Sequence, residues 1–423
     1  MVGDPGIAVT SVVRAPGSFT ARTVAGVRSE TVRSANLSTI LRELHFRGPA
    51  SRSELVARTG LTRSAIGALV GELVKAGFVD EQRASSDGSP GRPSPVAAPL
   101  AERNVTVGVD VAVDSLGVAA IGLGGNVLHS IRVDRPRARI DVDATIDDIV
   151  AMVRDVERLL APECRIFGVG VSVVGLVNRT DNTVAIAPNL GWRDVAFGTR
   201  LHHALGWRTE VVVSNDADLA ALAELRRGVA AGVRDVLYVW GEVGVGGGLI
   251  SRGEPITGAA GFAGEIGHLP VNPDGRPCRC GAVGCWETEI GEGTLLERGG
   301  RSPEGGRDAV DALLADAEAG VDAAVEALRA QARWLGIGLA GLINVMNPSM
   351  VVLGGLLGRV FPFERDDVAA EIEARAIESS RRGVRVVTSG LRGDAPLVGA
   401  GELAFEAVLA DPMGALTNVT SRR

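Results

Sequence analysis

Beyond Pro99 short β-branched runs alternate with Ala/Leu-rich helical stretches, and this alternation restricts the fold more than any other feature of the chain. The runs are Val105–Asp110, Gly117–Leu123, Ile166–Val173, Glu210–Ser214, Val236–Val239, Val351–Gly354 and Val384–Thr388. Strands separated by helical segments build sheets covered by helices, so an α/β body is predicted. Two of the runs open into glycine-marked hairpins, one at Gly108-Val109-Asp110 and one across Gly241–Gly248. They predict a duplicated architecture of two halves with a ligand-binding cleft between them. The Ala-rich stretch Val321–Leu342 reads as a long helix whose Leu328, Leu335, Leu339 and Leu342 serve the core.

The first hundred residues have a different texture. From Ser34, Leu37, Ile40, Leu41 and Leu44 recur at helical spacing; Ser53 is expected to cap a short helix carrying Leu55 and Val56 that ends at Gly60. Thr62 caps a third helix bearing Ile66, Leu69, Val70, Leu73 and Val74, terminated by Gly77. Phe78-Val79-Asp80 then reads as a strand, and the Ser/Gly/Pro-rich stretch from Ser85 to Pro95 as the loop of a wing. This is a winged helix-turn-helix. In that motif the start of the second helix of the pair meets base edges, so Thr62, Arg63, Ser64 and Gly67 are the candidate DNA contacts, with Arg92 reaching phosphate or the minor groove. Residues 1–98 carry a net charge of +4 and the remainder −11. A positive module on an acidic body permits phosphate binding at the front alone. A winged helix used only for dimerisation is the alternative.

Three of the four cysteines, Cys278, Cys280 and Cys285, fall within eight positions, and His268 lies ten residues upstream of the first. Thiolates and an imidazole at this spacing in a Gly-rich loop suit a tetrahedral, closed Zn2+ site of structural type. Reduced surface thiols or a disulfide form the alternative, disfavoured because Cys-x-Cys bridges poorly and a disulfide needs no histidine.

The segments Gly168–Asn178, Ala187–Trp192, Ser214–Glu224, Gly258–His268 and Cys278–Glu287 together resemble the ROK family of repressors, open reading frames and sugar kinases, from about Asn104 to about Leu409. The resemblance implies a two-lobed, actin-like or hexokinase-like body, and the winged module in front is similar to that of the transcriptional members. It also implies a sugar pocket made by Asn215, Asp216, Glu265, His268 and Glu287, with Asn189 as a further contact. Asp216 matches the position of the kinase base that deprotonates the attacked hydroxyl. Phosphoryl transfer is not expected. Where the family's kinases carry Asp-x-Gly-Gly-Thr, Asp110 is followed by Val111-Ala112-Val113-Asp114, whose side chains obstruct phosphate and whose Asp114 repels it. The second hairpin has Glu242-Val243 in place of Gly-Thr, and its glycine run is read as a hairpin packed close to a neighbour.

The 423 residues exceed one ordinary core, and no apolar block suggests a membrane span or a secretory leader. The expected division is a flexible segment 1–32, a winged helix-turn-helix 33–98, a two-lobed body 99–410 and a flexible tail 411–423. The expectation is a cytoplasmic, dimeric, sugar-responsive DNA-binding regulator, a repressor, whose partners are double-stranded operator DNA and a small sugar or sugar-phosphate. An ATP-dependent sugar kinase with an appended DNA-binding module is the alternative.

Overall fold

The computed structural model describes residues 29–83, 95–137, 140–259 and 261–421. The front module comprises α1 (Ser29–Arg47), β1 (Ala50–Ser51), α2 (Arg52–Thr59), α3 (Arg63–Lys75), β2 (Val79–Arg83) and β3 (Pro95–Pro99), with an antiparallel sheet ordered β1-β3-β2. Leu37, Ile40, Leu41 and Leu44 of α1 are fully buried against Leu55, Ile66, Val70 and Leu73. The cap of α2 is Ser51 and not Ser53. Its hydroxyl accepts from the Glu54 amide while the Glu54 carboxylate accepts from the Ser51 N–H, a reciprocal box available only to the Ser-x-x-Glu spacing that Ser51 begins. Thr62 caps α3 as expected, accepting from the Ala65 amide, and Gly77 adopts the left-handed turn beyond its end. Arg92 and most of the predicted wing loop lie outside the described residues, as do residues 1–28.

The first lobe contains β4 (Asn104–Val111), β5 (Ser115–Gly122), β6 (Val127–Asp134), α4 (Val142–Leu159), β7 (Arg165–Val173), β8 (Leu176–Asn178), β9 (Thr183–Ala187), β10 (Trp192–Val195), α5 (Phe197–Leu205) and β11 (Val211–Asn215). Its main sheet runs β11-β7-β4-β5-β6, with β8, β9 and β10 forming a small antiparallel sheet. α6 (Asp216–Arg227) crosses to the second lobe, which holds β12 (Val236–Gly241), β13 (Val245–Ser251), β14 (Glu254–Pro255), α7 (Glu287–Ile290), α8 (Glu292–Arg298), α9 (Gly306–Glu318), α10 (Asp322–Met346), β15 (Met350–Gly354), α11 (Gly355–Arg375), α12 (Glu378–Arg381) and β16 (Arg385–Thr388). The second sheet runs β14-β13-β12-β15-β16.

Each sheet is an antiparallel hairpin and third strand, continued on the other side by two parallel strands. The expected duplication is therefore present, strand for strand. α13 (Ala395–Ala410) returns from the second lobe to lie on β4, β5 and β7 of the first, while α6 lies on β12 and β13 of the second. These two helices pack on each other between the lobes. They approach closely enough that a Cβ on Gly399 would fall 1.9 Å from the Leu219 carbonyl oxygen.

Residues 411–421 do not form a flexible tail. α14 (Pro412–Ala415) and a short 3-10 turn lead into β17 (Thr420–Ser421), which pairs antiparallel with the first residues of β7. Met413, Leu416 and Val419 pack against the core shared by the front module and the first lobe, and this apolar contact holds the segment down. No helix among the described residues is long and apolar enough to cross a membrane.

Candidate functional site

A cleft of roughly 1420 Å3 separates the lobes, and Asn189, Asn215, Asp216, Glu265, His268 and Glu287 all line it. They arrive from both sides. Asn189 stands between β9 and β10 of the first lobe; Glu265 caps a 3-10 turn (Ile266–His268) that His268 ends, and Glu287 opens α7 in the second.

Asn215 caps α6. Its Oδ1 accepts from the amides of Ala217 (2.8 Å) and Asp218 (3.2 Å), and its Nδ2 donates to Gly175 O (2.9 Å), so one N–H remains for a ligand. Asp216 is thereby left with its carboxyl facing the cleft, 9% exposed. Burial, together with the charge of Asp110, pushes its pKa up to about 7 against the opposing pull of the helix N-terminal amides. Asp218, one turn position on, is likewise raised to about 7 by burial, the Arg179 charge opposing and Glu265 adding. Asn189 accepts from Arg279 of the opposite lobe.

His268, Cys278, Cys280 and Cys285 bring one ligand atom each to within 4.8 Å of all the others. Cys280 Sγ and Cys285 Sγ are 3.6 Å apart, and Cys278 Sγ is 3.7 Å from His268 Nδ1. Those separations match the edges of a zinc tetrahedron, about 3.5–3.8 Å for the usual Zn–S and Zn–N bond lengths. The loop is shaped for it: Gly281 and Gly284 take left-handed conformations, and a Cβ on Gly284 would fall 1.5 Å from the Asn272 carbonyl oxygen. Four protein donors of this chemistry fit a closed Zn2+ site. His268 is the joint between metal and cleft, with Nε2 3.7 Å from Glu265 and Nδ1 3.9 Å from Glu287. Behind it, Trp286 is fully buried, donates from Nε1 to Trp334 O (2.8 Å), and sits against Gly338 of α10.

The other end of the cleft holds the turns of the two hairpins. Asp114 follows β4 and accepts from Arg137 (3.0 Å) of its own lobe and from Arg307 (2.9 Å) of the other, while Arg137 also bridges to Glu292, 3% exposed, across the cleft. The expected repulsion from Asp114 is therefore neutralised, because two guanidinium groups pair with it. What fills this end is an interlobe ion-pair network that sequence spacing gave no means of finding, since its members are distant in the chain. Beside it, burial raises Glu242 to about 7; Arg307 and Arg137 oppose this, and Asp114 and Glu292 add to it. The glycine run of β13 has a packing role. A Cβ on Gly248 would lie 2.3 Å from Ala221 Cβ and one on Gly246 2.9 Å from Ala217 Cβ, so glycine lets α6 seat on the strand.

On the front module, Thr62, Arg63 and Ser64 are exposed at the start of α3, with Gly67 one turn further along, half-buried. Arg63 donates to Ser53 of α2 (3.2 Å), and Arg52 makes a two-pronged contact of 2.7 Å on each oxygen of Glu81, tying α2 to β2. Arg52 is the residue the sequence did not single out.

The ROK family profile matches residues 106–407, and the MarR family profile residues 38–88. A glucokinase from Streptomyces coelicolor is 31% identical over 71% of this chain and 98% of its own length. A putative xylose repressor from a Caldicellulosiruptor species is 28% identical over 90% of this chain and 98% of its own. A crystal structure described as a ROK family transcriptional regulator homologous to the MLC protein of E. coli superposes with a TM-score of 0.75, at 23% identity, over 92% of this chain and 98% of that one. The repressor and regulator thus span front module and body together; the glucokinase matches a share of the chain no larger than the body.

Proposed function

Since the chain belongs to the ROK family, we propose that it is a sugar-responsive transcriptional repressor in which a small carbohydrate, bound between the lobes, alters the fit of paired winged helices to operator DNA. The observation that carries this reading is the joining of a winged helix-turn-helix to a two-lobed body in one chain, over which relatives named as xylose repressors align along almost their whole length. DNA is read by Thr62, Arg63, Ser64 and Gly67 at the start of α3, with Arg92 reaching phosphate or the minor groove. The carbohydrate is held by Asn189, Asn215, Asp216, Glu265, His268 and Glu287, whose carboxylates and amides match hydroxyls that both donate and accept.

Zinc on His268, Cys278, Cys280 and Cys285 is structural in this reading: it supplies no open coordination position, and it fixes the ring whose other nitrogen faces Glu265. Phosphoryl transfer is absent. The ion pairs of Asp114 with Arg137 and Arg307 supply that reading's physical support, since the side chains occupy the hairpin ends where a phosphate cradle needs bare backbone. A homodimer gives two reading helices for two half-sites. A ligand preferring one lobe arrangement tenfold changes DNA affinity by about 1.4 kcal/mol, and a useful switch needs roughly 2–3 kcal/mol of preference.

The test is a fluorescence-anisotropy titration of the purified protein against duplexes from its own upstream region and random duplex, with and without D-xylose and D-glucose. Site-specific binding that one sugar shifts at least fivefold is expected. Phosphosugar produced at ordinary kinase turnover from ATP and either sugar would overturn the reading in favour of the kinase.

A further inference from the structure

The front module and the first lobe share one apolar core: Leu41, Leu44 and Phe78 cluster with Ile121, Leu123, Phe167, Phe405 and Leu409. Arg165 of β7 strengthens this union by donating to Ala76 O (3.0 Å) and Gly77 O (2.7 Å) at the end of α3. The second lobe touches the module differently. Among the described residues, its hydrogen bonds and ring contacts with α1 come from Arg226 and Arg227, the last two residues of α6. Arg227 donates to His45 O (2.8 Å) and to the Glu402 carboxylate of α13 (2.6 Å). Arg226 pairs with Glu406, which also accepts from Arg42 of α1 (2.8 Å). Both guanidinium groups lie over the Phe46 ring, at 5.0 Å and 5.7 Å from its centre.

The cluster therefore stands where three bodies meet: α6 rides on the second sheet, α13 on the first, and α1 belongs to the DNA-reading module. The opposite end of α6 is Asn215 and Asp216, in the cleft. Resting on the regulator reading above, we infer that the Arg226–Arg227 clamp on α1 is the joint through which lobe closure turns the reading module, α6 acting as a rigid lever between cleft and joint.

The chemistry suits a joint that breaks or holds as a unit. Glu402 is fully buried; burial alone would raise its pKa, but the His45 hydrogen bond and the charges of Arg227 and Arg226 hold it at about 2, so it stays ionised. The His45 ring is held from both sides: Nδ1 accepts from the Gly124 amide (2.9 Å), and Nε2 lies between the Glu402 carboxylate (3.0 Å) and the Arg227 guanidinium (2.7 Å). A change in lobe angle moves Arg226 and Arg227 against a buried carboxylate and an aromatic face, contacts that have little compliance.

The full-length variants Arg227→Lys and Phe46→Leu test this. Lys removes the fork that spans Glu402 and His45 O, and Leu removes the ring under both guanidinium groups. The measurements are melting temperature, sugar affinity by calorimetry with D-xylose and D-glucose, DNA affinity without sugar, and the sugar-induced change in DNA affinity, using a duplex selected by the wild-type protein from a random library. Sugar affinity and sugar-free DNA affinity should stay within about threefold of wild type, while the sugar-induced change falls from about fivefold or more to under twofold. If Arg227→Lys loses its fold, Phe46→Leu decides. Variants that respond to sugar as the wild type does overturn the joint alone. A wild-type protein whose DNA affinity neither sugar alters overturns the regulator reading and the joint with it.

Discussion

His268 concentrates two demands in one imidazole: Nδ1 turns to Cys278 Sγ in the cysteine cluster and Nε2 toward Glu265. Metal and ligand should then be lost together. Cys280→Ser is expected to reduce zinc from about one per chain to a trace by elemental analysis and to weaken sugar binding about tenfold or more, the range seen when a metal site loses a supporting group. Unchanged metal content would remove Cys280 from the ligand set. Asp216 carries a separate signature. Its pKa in the folded protein, about 7, lies above its value in the unfolded chain, so the unfolded state binds fewer protons between those values and stability falls as pH rises from about 4 to 7. Asp216→Asn removes that burden: the variant should melt higher than wild type at pH 8 by several degrees, with a smaller gain at pH 5, while its sugar affinity falls about tenfold. A pH-independent difference would show that Asp216 does not titrate in this range.

At the level of elements, α3 presents Thr62, Arg63 and Ser64 because Thr62 caps the helix and turns its first residues outward. Arg63→Ala should weaken binding to the cognate duplex by about 1–3 kcal/mol and to random duplex far less; equal losses would make Arg63 a phosphate contact. Gly248→Ala should drive α6 off β13, destabilising the protein by about 1–3 kcal/mol as read by denaturant midpoint. The strands legible in the sequence were those buried on both faces, such as β4 and β7, whose continuous β-branched runs have no helical explanation. β6 is not legible because its outer edge is exposed and its His129, Ser130 and Arg132 break the apolar pattern; β13 is legible only through the glycine-marked hairpin, since Gly246, Gly247 and Gly248 give no β-branched signal of their own. The cap of α2 lies at Ser51 and not at Ser53, which also precedes an apolar pair; the Ser51-x-x-Glu54 spacing that decides between them is legible in the sequence. The cysteine cluster was readable because its ligands are local, whereas Asp114, Arg137, Glu292 and Arg307 meet only through the fold.

Across the whole molecule, the two lobes are tied at both ends of the cleft, by Arg279 on Asn189 near the cysteine loop and by Arg137 and Arg307 at the hairpin end. Opening the cleft must break these ties. Arg307→Gln should leave sugar contacts intact and loosen closure, seen as faster hydrogen exchange in the turn after β4, with a change in melting temperature of a few degrees at most because the pair is partly exposed. Full protection of that turn in the variant would show that Arg307 does not contribute to closure.

Trp286 follows Cys285 directly, and its indole is sealed under α10 with its N–H committed to Trp334 O. An indole so enclosed emits toward the blue, and any loosening of the cysteine loop admits water to it and shifts that emission toward the red. With the other tryptophans, Trp192, Trp207, Trp240 and Trp334, replaced by phenylalanine, the protein becomes its own optical gauge of chelator-induced collapse at the loop.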